Sequence, residues 1–376
     1  MFDLEKAKKS GNYRVLRRAR TFGNKIFLND NSNLKSDLLN LASNDYLGIA
    51  SDKGLRDEFL HTLLNNSNLN AFFGSGASRL VYGSSEEFER LEAWFEARFA
   101  PKKALVFNSG YAANLGAISS LSDGGTLFLA DKLIHASMID ALRISGADFR
   151  RYPHNDYAAL AALLDEHAER FERVIILTEA VFSMDGDRAD VAELVRLKKS
   201  HKNVFLYLDE AHSFFALEPL GRAHALGLEG EIDFMLVTLS KALGGSGAIF
   251  LSSADTRERL VNTARSLIYS TALPSASVAW TNFILEQDFS ARRSNLKANI
   301  DFMGLSETQI CPFVVGENEA TLALAARLRD EGYFVAAIRP PTVPAHTARL
   351  RISLRGDVEQ ASLERLKEIL DENRVA

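Results

Sequence analysis

Through the middle of the chain, short apolar runs at 104–107, 127–130, 174–178, 204–209, 234–238 and 248–251 alternate with stretches of helical pattern. Runs of that length and composition read as buried strands, and their alternation with helices predicts a mainly parallel sheet covered by helices on both sides. The fold class expected is therefore α/β. Ligands in such sheets bind beyond the carboxyl ends of the strands. The chemically suggestive residues fall there: Asn108-Ser-Gly, Glu179, Asp209 and Ser240-Lys241 each follow directly on an apolar run.

The flanks differ in texture. Residues 1–50 form an N-terminal arm with Arg14, Arg17, Arg18 and Arg20 close together, and such an arm is not expected to fold alone. Residues 51–275 make the large α/β domain. Within it, Phe88, Leu91, Phe95 and Phe99 recur at three- and four-residue steps, so 86–99 is expected to be an amphipathic helix with a structural role. Residues 276–376 read as a smaller α+β domain of a helix, a strand, a proline-bearing loop and a last amphipathic helix over 361–373.

Composition narrows the class of partner. A chain of 376 residues with 47% hydrophobic and 25% charged residues buries a large core. Its net charge of -5 offers no basic surface for nucleic acid, which leaves small molecules. Cys311 is the single cysteine, and no apolar run approaches the roughly 20 residues that span a bilayer, so a cytoplasmic protein without a membrane partner is expected. No His-Glu-x-x-His or paired-cysteine spacing supports a metal.

The strongest chemical signal is Thr238-Leu-Ser-Lys-Ala-Leu-Gly-Gly245, which sets a lysine just past a buried strand and before two glycines. Burial lowers the pKa of an ammonium and frees the amine to form a Schiff base with an aldehyde. A lone lysine here would more often face solvent, but Lys241 has company. Val204-Phe-Leu-Tyr-Leu-Asp-Glu-Ala-His212 is an apolar strand that delivers Asp209 at its end and His212 three positions later. A carboxylate beside a pyridine nitrogen keeps that nitrogen protonated, and an imidazole there can hydrogen-bond a ring hydroxyl or substrate. The same Asp-Glu-Ala-His string binds magnesium in nucleotide-driven helicases, yet no Gly-x-x-x-x-Gly-Lys-Ser/Thr loop exists in this chain to hold the phosphates.

Asn108-Ser-Gly-Tyr-Ala-Ala-Asn114 joins a strand to a helix, so the amides of Gly110 and Tyr111 offer an anion site; equally, Ser109 and Gly110 could merely cap and turn. Thr238, Ser240 and Thr271 add hydroxyls to a phosphate cup. His135 could stack on an aromatic ring or be an ordinary loop histidine. Phe73-Gly-Ser-Gly-Ala-Ser-Arg79 lacks the third glycine and the preceding strand of a dinucleotide fingerprint.

Read in order, Ser109-Gly-Tyr, His135, Ser183-Met-Asp-Gly186, Asp209-Glu-Ala-His212 and Thr238-Leu-Ser-Lys241 resemble the fold-type I pyridoxal-phosphate enzymes, and within them the α-oxoamine synthases. Asn44-Asp-Tyr-Leu-Gly48 and Gly74-Ser-Gly-Ala-Ser-Arg79 match that subfamily. Pro340-Pro-Thr-Val-Pro344 and Thr347-Ala-Arg-Leu-Arg-Ile352 look like its branch that makes 8-amino-7-oxononanoate for biotin. Phe88 and the stretch near Asp357-Val358 stand where these enzymes usually carry histidines.

The resemblance implies pyridoxal 5'-phosphate held by Lys241, which also moves the substrate α-proton. Asp209 would pair with the ring nitrogen, His212 and Ser183 would contact the ring hydroxyl, and His135 would stack on the ring. Ser109, Gly110, Tyr111, Thr238 and Ser240 would surround the phosphate, with Thr271 given by the other subunit of a homodimer. Arg351, supported by Asn44, would hold the amino-acid carboxylate, with Arg349 as the alternative. Arg18, or Arg17 or Arg20, would hold the far carboxylate of the acyl chain unless the arm is simply solvated. The implied substrates are L-alanine and pimeloyl-CoA or a pimeloyl-carrier protein. Glycine C-acetyltransferase, 5-aminolevulinate synthase and serine palmitoyltransferase chemistry are the neighbouring alternatives.

Overall fold

The computed structural model describes residues 4–9, 13, 15–28, 37–66 and 71–374; Arg14 of the basic arm lies outside the described residues. The chain divides into two compact units. One comprises Asp57–Phe182 and Arg188–Gln287, the other Met1–Arg56, Ser183–Asp187 and Asp288–Ala376.

The first unit is built on a seven-stranded sheet, ordered Lys103–Phe107, Ala248–Ser252, Phe234–Thr238, Val204–Asp209, Arg173–Glu179, Thr126–Asp131 and Asp148–Tyr152. All six apolar runs are strands of this sheet, and the α/β class is as expected. Ala248–Ser252 is antiparallel to both neighbours, whereas the other pairings are parallel. The reason is length: residues 239–247 are too few for the crossover that a parallel return requires. Asp148–Tyr152 was not foreseen, because this edge strand reads Asp-Phe-Arg-Arg-Tyr and buries only Tyr152. Charge on an edge strand protects it from pairing with another chain.

Helices Gly110–Leu121 and Ala136–Ser145 cover one side of this sheet. Ala113, Ala117, Ile118 and Leu121 of the first, with Met138, Ala141 and Leu142 of the second, join Phe107, Phe128, Leu177, Tyr207, Leu236 and Phe250 in one core. Burial of each large apolar side chain there contributes about 1.5–3 kcal/mol. Helix Glu86–Arg98 buries Phe88, Leu91 and Phe95, as its spacing predicts. Its Glu92 is held between Arg79 at 2.7 Å and Arg257 at 3.1 Å and also accepts the Val106 amide, so a buried carboxylate is fully matched.

The second unit holds two small sheets. Ala19–Phe22, Lys25–Leu28 and Leu38–Asn40 run antiparallel, and Tyr333–Phe334 pairs in parallel with Leu38–Asn40. Arm and C-terminal segment thus share one sheet. Ile310–Gly316, Ala348–Ser353 and Ala336–Ile338 form the other, antiparallel throughout. The last helix, Glu364–Glu372, buries Leu366, Ile369 and Leu370 at helical spacing. No helix among the described residues is long and apolar enough to cross a membrane.

Candidate active site

Four neighbouring parallel strands of the large sheet, Thr126–Asp131, Arg173–Glu179, Val204–Asp209 and Phe234–Thr238, end in polar residues at their carboxyl ends. Val204–Asp209 delivers Asp209, which is 5% exposed; its Oδ1 accepts the Ala211 amide at 2.9 Å and its Oδ2 accepts Asn114 Nδ2 at 3.2 Å. Asn114 also donates to Ser137 Oγ at 3.0 Å and accepts the Tyr207 hydroxyl on Oδ1 at 2.5 Å. Those partners fix the amide orientation, since the reverse would set an oxygen against the Asp209 carboxylate. One buried asparagine therefore ties Asp209 to the second strand-end loop.

That loop carries His135, the residue before helix Ala136–Ser145. Its Nδ1 lies 2.8 Å from Ser137 Oγ and accepts the Ser137 amide at 3.3 Å. A ring nitrogen that accepts from an amide carries no proton, so the imidazole is neutral with its hydrogen on Nε2. Burial agrees, pushing His135 below the usual histidine range, with Asp209 opposing and Lys241 assisting.

Lys241 Nζ lies 2.8 Å from His212 Nε2. His212 is buried, and the turn that carries it is pinned by Thr238, whose hydroxyl donates to Ala211 O at 3.2 Å. Thr238 also limits what can stand opposite: a Cβ on Gly110 would lie 2.7 Å from Thr238 Cγ2. Only glycine lets the first turn of helix Gly110–Leu121 come this close to the strand end. Ser109 caps that helix by accepting the Ala112 amide at 3.1 Å, and the amides of Gly110 and Tyr111 lie at a positive helix end. Tyr111 is half exposed and donates to Asp140 at 2.7 Å; Ser240 and Thr271 are exposed, and the Thr271 carbonyl accepts from Asn108.

Glu179 ends the Arg173–Glu179 strand in register with Asp209 on the next strand. It is 3% exposed, and burial, with Asp209 and Asp131 nearby, pushes its carboxyl well above the usual carboxylate range.

The remaining expected site residues belong to the second unit. Arg351 is buried, donating to Ser183 O at 2.6 Å, Ser353 Oγ at 2.8 Å and Tyr46 Oη at 3.3 Å; Tyr46 in turn donates to Asn44 Oδ1 at 3.1 Å. Arg349 is instead ion-paired with Asp185 and donates to Thr347 O at 3.0 Å. Among the described residues, then, Arg349 has its carboxylate and Arg351 meets only neutral acceptors. Arg17, Arg18 and Arg20 are exposed. No group of side chains suited to a metal is found among the described residues.

Asn114, Ser137 and Tyr207 were not singled out from sequence. The available signal was a polar group in apolar surroundings: Tyr207 within a buried strand and Asn114 within an otherwise apolar helix.

The model of the aminotransferase class I and II family matches residues 36–370. The 8-amino-7-oxononanoate synthase of Haemophilus ducreyi (strain 35000HP / ATCC 700724) is 43% identical over 344 residues, spanning 87% of this chain and 89% of that protein. Among solved structures, a serine palmitoyltransferase from S. paucimobilis with bound PLP and myriocin superimposes with a TM-score of 0.86 at 25% identity, over 98% of this chain and 95% of its own. The 8-amino-7-oxononanoate synthase of Francisella tularensis does so with a TM-score of 0.72 at 26% identity, over 89% and 97%. With a family model spanning most of its length and a fold-type I architecture, the chain belongs to the aminotransferase class I and II family.

Proposed function

We propose that this chain is a pyridoxal 5'-phosphate-dependent acyltransferase that condenses L-alanine with a pimeloyl thioester, on coenzyme A or a carrier protein, to give 8-amino-7-oxononanoate, carbon dioxide and free thiol for biotin synthesis. The observation that carries the reading is the Lys241–His212 contact at 2.8 Å in the unit whose buried carboxylate, Asp209, ends the adjoining strand. The relatives' names supply the substrates.

Two features fit the cofactor. The space opposite Gly110 admits no Cβ, so backbone amides there can approach a phosphate closely. Glu179 Oε1 is buried without a partner, as expected where a polar molecule completes the bonding. Bound through Lys241, pyridoxal phosphate supplies an electron sink for the carbanion formed when the α-proton leaves.

The chain's own groups do the rest. Lys241 Nζ takes and returns the α-proton, with His212 Nε2 as its hydrogen-bond partner. Asp209, held by Asn114 and the Ala211 amide, would pair with the ring nitrogen, and His135 would lie against the ring face. Ser109, Gly110, Tyr111, Thr238 and Ser240 bind the phosphate, with Thr271 supplied by a second copy in a homodimer. Ser183 contacts the ring hydroxyl. Arg351 holds the substrate carboxylate by a bidentate contact, oriented by Tyr46 and Asn44. Arg18 receives the distal carboxylate of the pimeloyl chain.

The test is thiol release from pimeloyl-coenzyme A with L-alanine, glycine and L-serine supplied separately, with the product identified by mass. Release with alanine and a mass matching 8-amino-7-oxononanoate is expected. Release with serine alone, or none with this thioester, moves the assignment to another α-oxoamine synthase.

A further inference from the structure

We propose that Glu179 stands in the resting site as a neutral carboxylic acid beside Asp209, its hydroxyl available to a bound molecule. The inference rests on the cofactor reading given above, which uses Glu179 only as an unpartnered buried oxygen and leaves its protonation state open.

The geometry begins with the sheet. In the parallel pair Arg173–Glu179 and Val204–Asp209, Glu179 is registered directly on Asp209, so two buried carboxyl groups end adjacent strands on the same face. Asp131 ends the strand on the other side of Arg173–Glu179, where it is held by His154 at 2.9 Å and by the Asn155 and Leu133 amides. Lys241 acts on Glu179 as a cation, and its Nζ lies 2.8 Å from His212 Nε2.

Glu179 and Asp209, buried side by side, are costly to ionise together away from water. Asp131 and Asp209 each accept several hydrogen bonds. Glu179 Oε1, by contrast, is buried with no partner among the described residues. An ionised carboxylate left with a bare buried oxygen is far costlier than a neutral acid there. Burial and the two acids raise its pKa, in agreement. The hydroxyl of a neutral Glu179 is available to a bound molecule.

The test is infrared difference spectroscopy between wild type and Glu179→Gln, first without added pyridoxal phosphate and then with it. The carbonyl stretch of a protonated carboxylic acid is expected in wild type and absent from the variant. Carboxylate bands in its place overturn the proposal. This measurement needs neither substrate nor turnover, so it can fail while the condensation chemistry stands, and it can succeed if the substrates prove different.

A second readout is the visible absorption of the bound cofactor across the pH range. Glu179→Gln keeps a neutral side chain of the same shape, so affinity for pyridoxal phosphate should stay within about threefold of wild type, whereas Glu179→Ala should lose about tenfold or more. The Gln variant should also keep the wild-type cofactor spectrum at neutral pH, and a Gln variant that loses the cofactor as readily as Glu179→Ala counts against the proposal. Should the Gln variant fail to fold, pH titration of the wild-type acid band itself decides the matter.

Discussion

Gly110 faces Thr238 so closely that a Cβ would lie 2.7 Å from Thr238 Cγ2. A methyl group at position 110 must therefore push the helix start away from the strand end. Gly110→Ala is expected to fold, because the position lies at the helix end rather than in the core, but to bind pyridoxal phosphate about tenfold or more weakly, equivalent to roughly 1.4 kcal/mol. Thr238→Ser removes the obstructing methyl and keeps the hydroxyl that donates to Ala211. The double variant should recover most of the lost affinity, measured by fluorescence or absorbance titration. Failure of the second change to rescue the first would place the cofactor phosphate elsewhere.

The Lys241–His212 contact predicts different losses for its two members. Lys241→Ala should be colourless with added pyridoxal phosphate and should not be labelled by cofactor and borohydride, while the wild type absorbs visible light and is labelled at Lys241. His212→Ala should retain colour and lose turnover by about 10²–10⁴, the usual range for a group that assists proton transfer. A coloured, active Lys241→Ala protein would end the cofactor reading.

Asn114 ties its own helix to a strand and a second helix through three hydrogen bonds, so its removal should cost more than one hydrogen bond. Asn114→Ala leaves the buried Tyr207 hydroxyl without its acceptor and removes a donor from Asp209 and from Ser137. A stability loss of about 1–3 kcal/mol is expected, read by denaturant unfolding with the slope unchanged. Asn114→Asp should be worse, because it sets a second carboxylate against Asp209.

How much of this was legible in the sequence depends on whether the cause is local. The six apolar runs announce their strands because burial on both faces leaves a continuous hydrophobic string. Asp148–Tyr152 leaves no such string, since an edge strand needs only one buried side chain to hold its place. The parallel pairing of Tyr333 with Leu39 joins residues far apart in the chain, and no local period encodes a partner at that distance. At the site, Lys241, Asp209 and His212 lie in short strings whose chemistry is legible. Asn114 meets Ser137, Tyr207 and Asp209 only in the fold, and each of Asn114, Ser137 and Tyr207 in its own string is an unremarkable polar residue. The two arginines look alike in the sequence and differ in the fold: Arg349 is paired with Asp185, whereas among the described residues Arg351 donates to neutral acceptors.

That difference between the two arginines predicts a split in kinetics. Arg351→Lys loses the planar fork that receives a carboxylate, so the KM for L-alanine should rise about tenfold or more with a smaller change in the KM for the thioester. Arg349→Lys should leave both constants near wild type and show its effect in the melting temperature. Equal effects of the two substitutions on the KM for alanine would remove Arg351 from its role.

His135 gives the protein an acid limb whose sign can be worked out. Burial holds its pKa below the free value of 6.5, so the unfolded chain takes up a proton at a higher pH than the folded one does. Between those two values the unfolded state binds more protons, and stability rises with pH. The contribution is fully present above the unfolded pKa and is lost as pH falls through the folded one. Replacing His135 with Gln removes a titrating group while keeping a side chain that can accept the Ser137 amide. The variant's unfolding free energy should consequently fall less than that of wild type as pH drops below about 6.5, with the two curves running parallel above it. Parallel curves throughout the acid range would mean that His135 is as readily protonated in the fold as in water, which its contact with the Ser137 amide does not allow.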